Sequence, residues 1–435
     1  MIVTLVTRSA KIFTLVVSTT VTAIAALSWV LPPHVPGFPV AVEVLQDEDL
    51  SRLIAALQSA EAEERAMAAC GIGRLRNRDV GAARDGLLAL LGDDAAVEGK
   101  LCRDYENRRR GGETGSTPGR EAAIALEDVG ASAIEPLVGV LQSGSGAARQ
   151  NAALALGLIE DEQAIDALAA ALSDELDAVR ARAAWSLGMI EDAAAVEPLG
   201  RALDDRSAEV REQAAWGLGM IEASSAVPPL SRALQDDVAG VREQAAWALG
   251  MIEAGAAVPA LSDAIADADA GVREEVAWAL GMIEDRAGVD ALVRALGDEN
   301  ADVREQAAWA IGMIEDASGV DALVRALGDE VAEVREQVAW GLGMIESSLA
   351  VPGLIGALED EVAEVREQAA WALGMIEDSS AVEALSEALE DDDAGVRKHA
   401  LWALMRCVDA DDAELDYAAL AATLRKALGR GGEAG

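Results

Sequence analysis

The sequence repeats itself every 31 residues. The stretch VREQAAWALGMIE at 241–253 returns with few changes, and three residue types keep its register. Trp185, Trp216, Trp247, Trp278, Trp309, Trp340, Trp371 and Trp402 form one series. Asp174, Asp205, Asp236, Asp267, Asp298, Asp329, Asp360 and Asp391 form a second, and Arg180, Arg211, Arg242, Arg273, Arg304, Arg335, Arg366 and Arg397 a third. A register held through eight copies requires one supersecondary unit stacked on itself, because a single pair of short helices cannot bury its own apolar face. The predicted fold is all-α: an α-solenoid, or superhelix, of about eleven helical pairs behind an N-terminal hydrophobic segment. At 435 residues the chain could hold about three ordinary domains, but the repeat makes it one body that grows by addition.

The chain divides into four stretches. Residues 1–46 carry the uncharged run 12–31, IFTLVVSTTVTAIAALSWVL, behind Arg8 and Lys11. A basic lead and an apolar run of about 20 residues fit an export signal or an uncleaved anchor, with a buried helix as the alternative. The body is therefore expected to be exported or membrane-anchored rather than cytoplasmic. Pro32, Pro33, Pro36 and Pro39 make a stiff spacer. Residues 47–119 read as degenerate first repeats with Cys70 in the Trp slot, interrupted by a long insertion at 92–119. That insertion is basic within an acidic chain, holding Lys100, Arg103, Arg108, Arg109 and Arg110. It is either functional or a solvated loop. Regular repeats fill 120–408, and 409–435 supplies a capping helix, from about 413 to 428, and a tail.

Asp and Glu outnumber Lys and Arg by 77 to 35, for a net charge of −42. Such a surface repels phosphate backbones, so no nucleic-acid partner is expected. A basic protein or peptide suits it, and so does a salty medium.

On a helical wheel with Val241 at zero, Ala245, Ala248, Leu249 and Ile252 fall within about 80° and should pack on the first helix of the pair. Gly250, Glu243 and Trp247 fall at about 180°, 200° and 240° and should face away from that core. In helical-pair solenoids the second helices line the concave wall, so the Trp series is expected to run along it. Each ring either packs over a neighbour's glycine, in the series Gly188 to Gly374, or opens onto a groove. Glu212, Glu243, Glu274, Glu305, Glu336 and Glu367 stand one turn before their Trp. An aromatic face beside a carboxylate holds a cationic side chain by cation–π and ion-pair attraction together. Ala181 and Lys398 replace this Glu at the ends and would bound the groove. A methionine series, Met189 to Met375, serves as core filler or as an adaptable part of the wall. The Asp and Arg series are assigned to structure: each Asp fixes the inter-helix turn, and the Arg of an adjacent repeat bridges to it.

Short helix pairs with Asp in the turn, V-R opening the second helix and AAxALGxI after it resemble HEAT repeats, specifically the short type named after phycobilisome lyases. The resemblance covers nearly all of 47–408. Tetratricopeptide repeats differ, having a 34-residue period and W-x2-L-G, where this chain has W-x-L-G. The resemblance implies protein binding more often than chemistry. Deoxyhypusine hydroxylase is similar in fold but holds two irons with His-Glu pairs, whereas the only histidines here, His34 and His399, are not followed by Glu. Bilin lyases share the repeat, yet no residue here marks a tetrapyrrole site.

No phosphate loop, HExxH or C-x-x-C occurs, and three cysteines make no zinc site. No metal, cofactor or catalytic residue is expected. Cys407 takes a core Ile slot; Cys70 and Cys102 either form a disulfide or remain thiols. AGVDALVRALGDE at 287–299 and SGVDALVRALGDE at 318–330 are near duplicates, so length can change by whole units, which suits a surface better than an active site. The expected function is a non-catalytic scaffold that binds a basic or extended polypeptide on the Trp and Glu track. The alternatives are a lyase-type accessory or enzyme, and an architectural spacer in the cell envelope.

Overall fold

The 31-residue unit is a helical hairpin, and its parts follow from its residues. In the repeat beginning at Gly255, a 3-10 turn (Gly255–Ala257) leads into a short first helix, Val258–Ala264. Pro259 lies in the opening turn of that helix, where a missing N–H costs nothing. The chain then turns through Asp267, whose Oδ1 accepts the Asp269 N–H at 2.9 Å. Asp269 in turn caps the second helix, Ala270–Ile283, by accepting the N–H groups of Gly271 and Val272. The helix stops at Glu284, which adopts the left-handed conformation with φ 52°.

This computed structural model describes residues 47–75, 80–98 and 115–407. Among them are eleven helical pairs, from Asp47–Ala56 with Ala62–Gly73 to Val382–Ala388 with Ala394–Cys407. The array belongs to one unit from Glu48 onward. The leader and spacer at 1–46, the closing helix expected at 413–428, Cys102 and the basic run from Lys100 to Arg110 lie outside the described residues. Among the described residues no helix is long and apolar enough to cross a membrane.

The second pair is split by the insertion, between Arg84–Leu90 and Pro118–Ala125. The ends of the predicted loop are structured: Val97 pairs with Ser116 and Glu98 with Gly115 in a two-residue antiparallel ladder. Thr117 accepts the Arg120 N–H and starts the helix again. Asn151 of the next pair donates to the Leu91 carbonyl at 2.9 Å, fastening the insertion's entry to the array.

The core is wider than the wheel implies. Val241, Ala245, Ala248 and Leu249 are fully buried against the first helix as expected, but so are Ala246 and Gly250, and Ile252 is only half-buried. Gly250 therefore does not face away from the core. The wheel considered one packing partner, whereas each second helix also packs along both flanks against the second helices of adjacent repeats. Ile252 stands in the last turn, where the helix leaves its neighbours. Cys407, in the equivalent slot of the last pair, is buried, with Sγ 3.5 Å from the Leu373 carbonyl oxygen. Burial first, and then Asp378 and Glu377, push its thiol up to about 11.

Candidate functional site

Two ladders run along the array, and they divide the labour between structure and surface. The first is ionic. Arg273 grips Asp298 of the following repeat with both Nε and Nη2, at 2.6 and 2.7 Å, while its Nη1 donates to the backbone carbonyl of Asp267 in its own repeat at 2.8 Å. The carboxylate that receives it also accepts the Asn300 N–H. One guanidinium thus ties a turn to its neighbour. The same bidentate bridge joins Arg180 to Asp205, Arg211 to Asp236, Arg242 to Asp267, Arg304 to Asp329, Arg335 to Asp360 and Arg366 to Asp391.

The ladder extends further than the repeat register revealed. Asp174 is held by Arg149, and in the first pair Arg65 holds Asp93 at the mouth of the insertion. Arg397, in the last pair, bonds the carbonyls of Asp391 and Asp392. At Asp174, Asp205, Asp236 and Asp267 burial pushes the carboxyl upward, but the Arg hydrogen bond and the turn N–H outweigh it and hold the group below the ordinary range. At Asp298, Asp329, Asp360 and Asp391 the Arg hydrogen bond is the leading cause of the same depression. The guanidiniums from Arg149 to Arg366 are raised in return, first by their Asp hydrogen bonds.

The second ladder is aromatic. All eight Trp side chains are half-buried. From Trp216 onward, each sets the Cζ3 edge of its ring over the glycine of the preceding repeat: a Cβ on Gly281 would lie 2.7 Å from Trp309 Cζ3, and one on Gly250 2.6 Å from Trp278 Cζ3. The rings therefore serve stacking along one edge and stay accessible elsewhere. At the N-terminal end Trp185 and Trp216 lie parallel, with centroids 6.1 Å apart and planes 9° apart. Among the described residues, cations stand over the two end rings: the Arg182 guanidinium 5.4 Å from the Trp185 centroid, and that of Arg406 5.2 Å from Trp402.

Around the central rings the second-helix wall is acidic. Glu243 and Glu274 are exposed, and Glu212, Glu305, Glu336 and Glu367 are half-buried. Burial, followed by repulsion from nearby carboxylates of this and adjacent repeats, raises the carboxyls of Glu274, Glu305 and Glu336 above the usual range. The methionine series is half-buried beside the Trp series, so it belongs to the wall as much as to the core.

Two features of the second helices escaped the sequence reading. The position after each of these glutamates is a further column: Gln213, Gln244, Glu275, Gln306, Gln337 and Gln368, with Arg182 and His399 at its ends. Glu275 breaks that column, and burial, then Glu243 and Glu274, push its carboxyl up to about 7. The break is visible once the repeats are aligned. Secondly, eight glutamates from Glu160 to Glu377 end the second helices in the left-handed conformation, with φ between 51° and 58°. Glycine is the usual occupant of such a position, and a glutamate there carries no local signal. Of the two alternatives open for Cys70, the disulfide is the one found: the residue is buried and disulfide-bonded, while Cys407 is free. Cys102, the partner weighed for Cys70, lies outside the described residues. Among the described residues no group of His, Cys, Asp and Glu is arranged to hold a metal ion.

The geometry has counterparts among known proteins. An importin β crystal structure aligns over 82–83% of this chain at 14–15% identity; in one crystal form it gives a TM-score of 0.56 and 59% of that chain is covered. Kap95p, whose structure concerns its binding to RanGDP, aligns over 82% of this chain and 57% of its own at 14% identity, with a TM-score of 0.55. The CpcE–CpcF complex of phycocyanin lyase from Nostoc sp. PCC7120 aligns over 56% of this chain and 94% of that chain at 22% identity, with a TM-score of 0.33. At these identities the first two establish a shared fold and nothing more, and the last superposes too loosely to carry an argument. This chain spans less than two thirds of the length of either importin-type protein. No curated protein matches it significantly. The HEAT-repeat family model matches in eight overlapping segments: 119–187, 166–250, 196–281, 238–305, 258–343, 289–373, 320–405 and 351–430. Those segments cover well over half of the sequence, and the chain belongs to the HEAT-repeat family.

Proposed function

We propose that this chain is a non-catalytic interaction scaffold whose second-helix wall takes up a basic, extended polypeptide. The observation that carries the reading is the pair of guanidiniums over Trp185 and Trp402. Arg182 and Arg406 each place a guanidinium over a wall Trp, Arg406 while also bonded to the Gly374 carbonyl and Glu377. The central rings offer the same face beside a glutamate one turn away, in a chain of net charge −42. A ligand bearing Arg or Lys supplies the cation those positions favour. Repeated, nearly equivalent positions let contacts accumulate along the ligand, which is how a modest per-site attraction becomes useful affinity.

One observation favours the architectural reading instead. Each ring from Trp216 to Trp402 already uses an edge against a glycine, so the series contributes to stacking whether or not anything binds. The two readings separate on titration of a nona-arginine peptide at low salt. The binding reading expects a change in Trp fluorescence that weakens steeply with added salt. A Trp247→Ala/Trp278→Ala/Trp309→Ala variant that still folds should lose most of that response. An unchanged emission spectrum in the parent protein at low salt would sink the proposal and leave the spacer. The uncharged run 12–31 behind Arg8 and Lys11 supports placing this scaffold outside the cytoplasm, exported or held at the membrane. Fractionation of cells expressing the full chain tests that placement.

A further inference from the structure

Resting on the binding reading above, we infer that Glu275 makes the centre of the wall proton-gated: capture of a basic polypeptide there requires the Glu275 carboxyl to be ionised and is released by mild acid.

The geometry comes from the far end of the same columns. His399, in the Gln column, reaches back to Glu367 of the preceding repeat, Nδ1 to Oε1 at 3.0 Å. Glu275 and Glu243 occupy the same two positions four repeats earlier, also 32 residues apart in sequence. Where the last repeat opposes an imidazole to a carboxylate, this one opposes two carboxylates. Elsewhere in the column, at Gln244, Gln306, Gln337 and Gln368, the residue is a neutral amide whose side chain can donate to the glutamate behind it. An ionised Glu275 cannot donate. A protonated one can, so the wall at this repeat exists in two charge states.

Among the described residues no compensating cation faces the group. The charged residues around it are Glu243 on the preceding second helix, Glu274 on its own, and Asp302 and Glu305 on the following one, which bear on Glu274. Arg242 and Arg273, on the two helices that carry the pair, are committed to Asp267 and Asp298. Glu275 is half-buried and accepts no hydrogen bond among the described residues. Its carboxyl is pushed up to about 7, by burial first and the two glutamates second. A guanidinium placed between Glu243 and Glu275 replaces the proton as the group that relieves the repulsion.

Linkage sets the size of the effect. A ligand that binds only the ionised form gains about tenfold in affinity per pH unit up to the free carboxyl's own midpoint, then no more. Nona-arginine should therefore bind the full chain about tenfold more tightly at pH 8 than at pH 6, measured at fixed low ionic strength. Glu275→Gln, which cannot ionise, should bind at both pH values about as weakly as the parent does at pH 6, and so flatten most of that rise. A second measurement needs no ligand. The raised midpoint means the folded chain holds the proton more tightly than the unfolded one, so this group favours folding at acid pH and loses that contribution as pH rises through about 7. Urea midpoints of the parent should fall between pH 6 and 8 relative to those of Glu275→Gln. Binding with the same pH slope in both proteins overturns the gating and leaves the wall standing. No binding to the parent at any pH overturns both. Parallel urea midpoints in the two proteins across that range overturn the gating alone.

Discussion

Removing Asp298 tests the ionic ladder at a rung where both partners are well sheltered. The side chains of Arg273 and Asp298 are 9% and 11% exposed and meet in a bidentate bridge. Asp298→Ala strands a buried guanidinium, and breaking such a pair by removing one partner costs about 3–5 kcal/mol when burial is complete. Residual exposure and the surviving bond from Arg273 Nη1 to the Asp267 carbonyl argue for the lower end. Loss of the Asn300 N–H acceptor adds about 1 kcal/mol. The expected total is about 4 kcal/mol. Arg273→Ala removes the donor instead and leaves an Asp that keeps its turn N–H and some solvent, for about 2 kcal/mol. The double variant should cost far less than the sum, because neither partner is left stranded. The assay is a double-mutant cycle on urea unfolding, run on the whole array and repeated at pH 7 and pH 3. The native Asp298 carboxyl is depressed, so its stabilisation is complete above the ordinary carboxylate midpoint, near 4, and is lost as pH falls below it through the native value. Additive single effects, or a coupling that is undiminished when the pH is lowered to 3, would refute the reasoning.

Two smaller perturbations probe the other columns. Gly281→Ala forces a Cβ to within 2.7 Å of Trp309 Cζ3 and 2.9 Å of the Ala310 Cα, and overpacking against backbone costs about 1–3 kcal/mol; an unchanged melting temperature would show that the rings do not seat on the glycines. Glu284→Gly relieves a left-handed residue at φ 52° and removes a carboxylate from a helix C-terminus, so it should stabilise by about 1 kcal/mol despite the entropy of glycine, and a lower melting temperature would contradict that.

The fold was legible because the same unit is written many times. Trp, Asp and Arg at fixed spacing gave the hairpin, its turn and an Arg bridge between adjacent repeats, while its direction came from the structure. The rungs that escaped lie where the repeat is degenerate: Arg149 precedes the first Asp of the series, and Arg65 meets Asp93 across 28 residues instead of the usual 25. The wheel placed Trp247 and Glu243 on the open face but misplaced Gly250, because burial on a flank depends on the neighbouring helix and no single helix's pattern encodes it. Left-handed Glu284 was invisible for a different reason. Its conformation follows from where the packed helix must stop, and the residue type argues against it.

Within the chain, uniformity and variation fall in different columns, and the difference follows from what each column touches. The Asp, Arg and Gly columns are uniform through the regular pairs because each member contacts a partner column in an adjacent repeat, Arg273 on Asp298 and Gly281 under the Trp309 ring, so a change at one position disturbs an interface between repeats. The exception supports the rule. Met405 takes the Gly slot of the last pair, where no further pair among the described residues stacks on it, and it is 74% exposed. The column after the Glu series, by contrast, holds Arg182, Gln244, Glu275 and His399 in the same backbone setting. That column is Gln at five positions and departs from it at Arg182, Glu275 and His399, so it admits changes that the Asp and Arg columns do not. A surface built only for length would gain nothing from such variation. A surface that must hold one ligand in one register needs it, since otherwise every shift by a whole repeat would present the ligand with the same contacts.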